Sequence, residues 1–283
     1  MEILHILFLA IVQGAAELLP VSSSAHVIIA EKLMGLDPTT PFMTLILVCL
    51  HTGTMFAVIW YFRKDWKERF FSSKENFMKA LRQVVIATLA TGVLGLLLKF
   101  VIEKITHNDI EALFGNLAMI GTALIVVGTL IIYTDRAINH STPLNKPEPT
   151  DKDSLLIGLA QGLCLPFRGL SRSGVTISTA LLQGVNKSVS EGFSFALAVV
   201  LTPPVVAKEI HRFWKQEHLI GSEHVHLTQA LLPCLLGMVF SFIAGLVALK
   251  FLSKWLEQGR WRHFGYYCYA VAIVAFVMSF YGM

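Results

Sequence analysis

The chain has 283 residues, 54% of them apolar and only 15% charged, with a mean hydropathy of +0.63. Soluble domains average about 25% charged residues, so this composition excludes a disordered chain and argues against an ordinary soluble enzyme. The formal charge of +4 is clustered: seven basic and three acidic residues lie between Arg63 and Arg82, with long charge-free stretches elsewhere. An all-α polytopic membrane protein is the class that fits.

In chain order, residues 1–36 are apolar but broken by Gln13, Glu17, Pro20 and a serine run. Uninterrupted spans follow at 41–62, 80–102 and 114–134. A linker at 135–153 holds the Pro-rich segment Pro143–Pro149. A second broken stretch covers 154–184, and spans at 191–211, 229–251 and 263–281 complete the chain. Each span has about the 20 residues that a hydrocarbon core requires. Trp60, Tyr61, Trp214, Tyr266 and Tyr267 lie near span ends, where aromatic residues anchor at the interface. No cleavable signal peptide is expected, because residues 1–12 lack a basic region and Glu17 follows where a small-residue cleavage site is needed. Cys49, Cys164, Cys234 and Cys268 stand singly in apolar sequence and read as small core residues.

Basic residues set the orientation. Loops 63–82, 135–153 and 250–262 hold fourteen Lys and Arg, far more than the opposite ends. The basic side is therefore expected to be cytoplasmic and both termini outside, which six crossings satisfy.

The two halves repeat. Gln13-Gly14 precede Val21-Ser22-Ser23-Ser24-Ala25 as Gln161-Gly162 precede Leu170-Ser171-Arg172-Ser173-Gly174, with one extra residue in the second gap. A glycine follows each about ten residues on, Gly35 and Gly184, and then a Phe-led span. The first repeat is 1–134 and the second 154–283. Each holds a polar-tipped hairpin and three spans. Three is odd, so the second copy enters from the opposite side, an inverted-topology repeat. Helical arms of twelve residues near 155–166 and 172–183 reach roughly 18 Å, about half a bilayer. The hairpins 1–36 and 154–184 are thus expected to be re-entrant, their tips buried in protein or lining a wet cavity.

The tips carry the polar residues. Gln13 and Glu17 share a helix face, Pro20 stops that helix, and Ser22, Ser23 or Ser24 can cap the next, with His26 in its first turn. In the second tip Gly169 allows a tight loop, Ser171-Arg172-Ser173 opens the returning helix, and Thr176 shares a face with Arg172. Two serine-capped helix N-termini with a guanidinium make an anion site, and Glu17 and His26 add a base and a metal ligand. That set suits phosphoryl transfer. Taken alone, a serine run is usually only a cap and a lone Arg only bridges carbonyls. Their joint occurrence at corresponding points of two repeats argues for the site. His51 reads as packing or as support for a neighbour, and the histidines at 211, 218, 224 and 226 as a solvated loop.

At these residues the sequence resembles the bacterial undecaprenyl-diphosphate phosphatase family, also called the bacitracin-resistance family. Its (E/Q)xxxE motif is matched by Gln13 and Glu17. Its PVSS(T/S)xH segment is matched by Pro20-Val21-Ser22-Ser23-Ser24-Ala25-His26, and its PGxSRSxxT motif by Gly169, Ser171, Arg172, Ser173 and Thr176. The resemblance implies hydrolysis of undecaprenyl diphosphate in the bacterial inner membrane, recycling the carrier for peptidoglycan and conferring bacitracin resistance. It further implies a site open to the periplasm, Mg²⁺ or Ca²⁺ as cofactor, and six crossings with two inverted re-entrant hairpins.

On this basis Glu17, Ser23, His26 and Arg172 are the expected catalytic residues, with Ser23 or water as nucleophile. Ser22, Ser24, Ser171, Ser173, Thr176 and Arg168 would bind phosphate, and Glu17 with Gln13 the cation. Two residues depart from the family pattern: Gln13 replaces a glutamate, and Arg168 replaces a proline and adds a guanidinium. The expected partners are the bilayer and a polyprenyl diphosphate lipid, with a homodimer allowed and no nucleic acid. The alternative from another class is a polyprenyl-phosphate transporter or flippase on the same scaffold.

Overall fold

The computed structural model describes residues 3–36, 40–107, 110, 114–140, 143–220 and 227–282, without side chains at 41, 205, 208–209, 212–220 and 227–230. His211 and His218 fall within the helix Lys187–Ile220 and not in the expected loop, and the expectations for His224 and His226 lie outside the described residues. Among the described residues ten helices run in chain order: α1 (Ile3–Leu18), α2 (Ser23–Leu33), α3 (Pro41–Phe70), α4 (Lys74–Thr106), α5 (Leu117–His140), α6 (Asp151–Cys164), α7 (Arg172–Leu182), α8 (Lys187–Ile220), α9 (Leu227–Glu257) and α10 (Arg262–Phe280). Five of them, α3, α4, α5, α9 and α10, are long and apolar enough to cross a membrane. The expected span 191–211 lies within the continuous helix α8. The chain is a multi-pass, all-helical protein.

Local chemistry sets the helix ends. Thr40 caps α3, with Pro41 at its first position, and Ser73 caps α4. Thr150 and Asp153 form a reciprocal capping box at the start of α6, which satisfies two orphan donors at once. The short helices α2 and α7 end alike: Leu36 N–H reaches Glu31 O and Gly35 N–H reaches Lys32 O, as Val185 reaches Ala180 and Gly184 reaches Leu181. Both glycines take a positive φ, +64° and +82°, which this C-terminal motif needs and a Cβ opposes. The corresponding glycines seen in the sequence thus close both hairpins by the same device.

Three expectations about boundaries are corrected. Helix α3 continues to Phe70 and α4 begins at Lys74, so most of the basic stretch 63–82 is helical, not loop. Asp65 and Arg69, paired at 2.6 Å across one turn, help carry α3 past its apolar part. The linker 135–153 shrinks, because α5 runs to His140 and α6 starts at Asp151. Asp135 in that added turn is buried and accepts from Arg262 N–H at 3.2 Å, tying α5 to the start of α10. The stretch 250–262 is also mainly helical, since α9 extends to Glu257.

Packing repeats between the halves. Helix α1 lies on α9, where a Cβ on Gly14 would stand 2.6 Å from Ser241 O and 2.7 Å from Ala244 Cβ. Helix α6 lies on α4, where a Cβ on Gly162 would stand 3.0 Å from both Thr91 O and Leu94 Cβ. Both glycines therefore meet an i, i+3 pair on the facing helix. Helices α5 and α10 pair with each other, as do α3 and α8. The main apolar core joins residues of both halves, among them Leu18, Ile120, Leu124, Ile177 and Leu249. Trp261, wholly buried, donates to Ser178 Oγ at 3.2 Å. The two helical hairpins, α1–α2 and α6–α7, are held tip to tip within this frame.

Candidate active site

The tips meet through direct bonds. Ser173 Oγ donates to Leu19 O at 3.2 Å, Gly169 N–H reaches Ser24 Oγ at 3.4 Å, and Cys268 Sγ on α10 donates to Pro20 O at 3.5 Å. Gly169 makes the approach possible: its φ is +99°, and a Cβ there would stand 2.6 Å from Ile120 O.

Glu17, in the last turn of α1, is the centre. Its Oε2 accepts from Gln13 Nε2 at 3.0 Å and from Ser23 Oγ at 2.5 Å, and lies 3.8 Å from His51 Nε2. Its Oε1 faces Arg172 Nη2 at 3.5 Å. The Glu17 and Arg172 side chains are 21% and 22% exposed, whereas His51 is 41% exposed. The cluster is thus open on the His51 side.

Arg172 opens α7 and is held from behind. Its second nitrogen donates to Ser194 O at 3.4 Å, and its guanidinium lies 5.8 Å from the Phe195 ring centroid. Thr176, one turn on, donates to Arg172 O at 2.8 Å and bonds Ser194 Oγ at 2.6 Å. Ser171 caps α7 by accepting from Gly174 N–H at 3.2 Å. The N–H groups of Arg172 and Ser173 belong to the first turn and have no helical carbonyl to bond, so they add positive potential beside the guanidinium.

The first tip differs from the expectation of a capped helix. Ser22 precedes α2 but makes no side-chain cap bond. It sits at φ +70°, a rare region for a residue with a Cβ, and its Oγ bonds Ser24 Oγ at 3.2 Å. Its carbonyl faces His26 Nδ1 at 2.8 Å. A carbonyl only accepts, so Nδ1 carries the proton and Nε2 is left to accept from Tyr267 OH at 2.9 Å. Both His26 nitrogens are therefore engaged away from Ser23, and the base in contact with Ser23 is Glu17.

The expected residues Gln13, Glu17, Ser23, Arg172, Ser173, Ser24 and Thr176 are gathered at the tip contact. The Arg168 guanidinium lies 4.5 Å from the Phe114 ring centroid. Gln161, the counterpart of Gln13, is not in the site: it donates to Thr91 at 3.0 Å in the α4–α6 contact. Three participants carried little weight in the sequence. His51, read as packing or as support for a neighbour, donates Nδ1–H to Leu47 O at 2.8 Å and turns Nε2 toward Glu17, as the second of these readings has it. Tyr267 reads as an interface aromatic, and nothing in the apolar pattern of the span 191–211 singles out Ser194. An ionisable residue within apolar sequence was the available signal for His51; Tyr267 and Ser194 depend on contacts between distant helices.

For a divalent cation, no group of three or more His, Cys, Asp or Glu side chains is assembled among the described residues. Glu17 offers one carboxylate, which Gln13 Nε2, Ser23 Oγ and Arg172 already engage, and Gln13 one amide oxygen. Mg²⁺ commonly takes one or two carboxylates and completes its shell with water and substrate phosphates.

The family profile described as bacitracin resistance protein BacA matches residues 6–274. Undecaprenyl-diphosphatase 2 of Acinetobacter baylyi is 50% identical over 99% of both chains. Undecaprenyl-diphosphatase of Halothermothrix orenii is 31% identical, again over 99% of each. Undecaprenyl-diphosphatase 2 of Halalkalibacterium halodurans is 33% identical over 98% of this chain and 96% of that one. With a profile match over nearly its whole length and half of its residues shared with a relative of the same extent, the chain belongs to the bacitracin resistance protein BacA family.

Proposed function

We propose that the protein hydrolyses undecaprenyl diphosphate to undecaprenyl phosphate and inorganic phosphate, recycling the lipid carrier for cell-envelope glycans and conferring bacitracin resistance. The observation that carries the reading is the double engagement of Glu17, which holds Ser23 on one carboxylate oxygen and Arg172 on the other. A hydroxyl in contact with a base beside a guanidinium and a helix N-terminus is the arrangement that phosphoryl transfer uses. Family membership and the names of the relatives support the same substrate.

In this mechanism Arg172 and the first turn of α7 bind the terminal phosphate. Ser23 Oγ attacks its phosphorus while Glu17 takes the hydroxyl proton, and the bond to the bridging oxygen breaks. Undecaprenyl phosphate leaves with that oxygen. Water then attacks the phosphoserine, Glu17 returns its proton to Ser23 Oγ, and dihydrogen phosphate leaves with both protons of the water. A cation held by Glu17 and Gln13 would neutralise diphosphate charge when bound. Ser171, Ser173 and Thr176 shape the second tip, Ser22 and Ser24 the first, and Arg168 meets the phosphates at the mouth.

In the membrane, six crossings (α3, α4, α5, α8, α9 and α10) enclose two re-entrant hairpins, α1–α2 and α6–α7, in two inverted repeats joined by the cytoplasmic linker. The lengths of the hairpin arms support this, since neither 16 nor 11 residues provides the roughly 20 needed for a full crossing. The basic ends of α3 and α9 lie in the cytoplasm. Both termini and the mouth of the site face the periplasm of the inner membrane. The test is phosphate release from undecaprenyl diphosphate by pure protein in detergent, with and without EDTA. Release that falls in EDTA and returns with Mg²⁺ supports the reading. No release under any condition overturns it in favour of a transporter.

A further inference from the structure

Beside the tips, α1, α2 and α10 enclose a groove of about 400 Å³, within the roughly 300–1,000 Å³ usual for small-molecule sites. Val12 contributes from α1, Ile29 and Leu33 from α2, and Val271 and Val274 from α10. His26 is the one polar side chain among the residues lining it. Tyr267, one turn before Val271 on the same face of α10, stacks on His26 with ring centroids 5.6 Å apart and planes 4° from parallel. His26 in turn bonds the carbonyl of Ser22, the neighbour of Ser23. The polar end of the groove is therefore one helical turn from the hydroxyl that meets Glu17, about 5 Å along the axis of α2.

We propose that this groove is the subsite for the first isoprene units of the substrate, an inference that rests on the phosphatase reading above. In a polyprenyl diphosphate the hydrocarbon begins directly at the phosphate oxygen, without the glycerol spacer of a phospholipid. A head group bound between Ser23 and Arg172 must lay its first carbons within a turn of that site. The groove begins there, and it is apolar beyond His26.

Two measurements test this on the full-length protein in detergent. A polyprenyl diphosphate carrying a diazirine in its second isoprene unit is photolysed, and the labelled peptides are mapped. Label on α2 or α10 that unlabelled undecaprenyl diphosphate displaces is the expected result. Label elsewhere, or equal labelling by a diazirine phospholipid that undecaprenyl diphosphate does not displace, overturns the proposal. In parallel, Val274→Trp, which narrows the groove, should raise KM for undecaprenyl diphosphate about tenfold, the order expected for poorer fit in an apolar pocket. Val247→Trp, at an exposed site on α9, should not. Equal KM values for the two variants also overturn it. If the unaltered protein releases no phosphate, the phosphatase reading fails, while the labelling pattern still reports on the groove.

Discussion

Ser23 Oγ donates to Glu17 Oε2 across 2.5 Å, joining the first turn of α2 to the last turn of α1 around Pro20. This is the contact that a hydroxyl nucleophile needs with its base. Ser23→Ala should lower kcat by about 10²-fold to 10⁴-fold, and Glu17→Gln by a similar factor, the usual range for losing a proton-transfer partner. The double variant should be little worse than either alone, because the two residues act as one unit. Phosphate release measured on all three would show it, and additive losses would separate the pair.

Arg172 contributes charge and a forked shape, with one nitrogen toward Glu17 and the other on Ser194 O. Arg172→Ala should cost on the order of 10²-fold or more in kcat, since such donors act on transition-state charge. Arg172→Lys keeps the charge but not the fork and should recover only part of the loss. Near-normal turnover in Arg172→Ala would remove this residue from the mechanism.

Helix α6 approaches α4 so closely that a Cβ on Gly158 would stand 2.6 Å from Ala87 Cα, whereas one on Gly92 of α4 meets nothing within 4 Å. Gly158→Ala should therefore destabilise by about 1–3 kcal/mol through overpacking. Gly92→Ala should be neutral or gain up to about 1 kcal/mol from helix propensity. Thermal unfolding in one detergent compares them directly.

Ser22 at φ +70° carries backbone strain of about 1–3 kcal/mol. Ser22→Gly should raise or preserve thermal stability. Ser22→Val, branched at Cβ and least tolerant of this region, should lower it. If both variants unfold like the unaltered protein, the turn has relaxed into another conformation.

Asp153, outside the membrane-spanning helices, is buried. Burial works against its charge, but the Thr150 backbone N–H, the Lys146 ammonium and the Thr150 hydroxyl outweigh it, so its pKa lies below the ordinary 3.8. A lowered folded-state pKa adds stability that is present above the ordinary value and is lost as pH falls through the folded one. Asp153→Asn should cost about 1–2 kcal/mol near neutrality, the scale of a lost cap. The difference from the unaltered protein should close as pH drops below about 4. Melting curves between neutral pH and pH 3 would reveal it, and a gap independent of pH would assign the effect to packing.

Most of the frame was legible because bilayer crossing imposes length and composition together. Five of the expected spans coincide with helices long and apolar enough to cross a membrane and 191–211 falls inside α8, while the matching residues around Gln13 and Gln161 anticipated two helical hairpins with equivalent C-terminal glycines. Boundaries were less legible, since a helix that leaves the apolar layer continues as long as its polar residues bond along it, as Asp65 and Arg69 do. Within the site, Glu17, Ser23 and Arg172 stood out because polar groups in apolar sequence need partners. The role of His26 did not follow from its nearness to Ser23 in the chain: the helix directs it to Tyr267, a residue that only folding brings near. The equivalence of Gln13 and Gln161 was likewise only apparent, since Gln161 serves the contact with Thr91 instead.

The tip-to-tip contact has a consequence for biogenesis. Glu17 is synthesised early, and the guanidinium that faces it emerges only after more than half of the chain. In the re-entrant placement proposed above, the carboxylate meanwhile rests on Gln13 and Ser23 of its own half without the guanidinium, and a charge within hydrocarbon is costly without an opposite one. On that reading, full charge pairing of the first hairpin awaits α7. On the same reading the site is completed late in synthesis, and chains truncated before Arg172 should hold α1 and α2 less firmly than the full chain does.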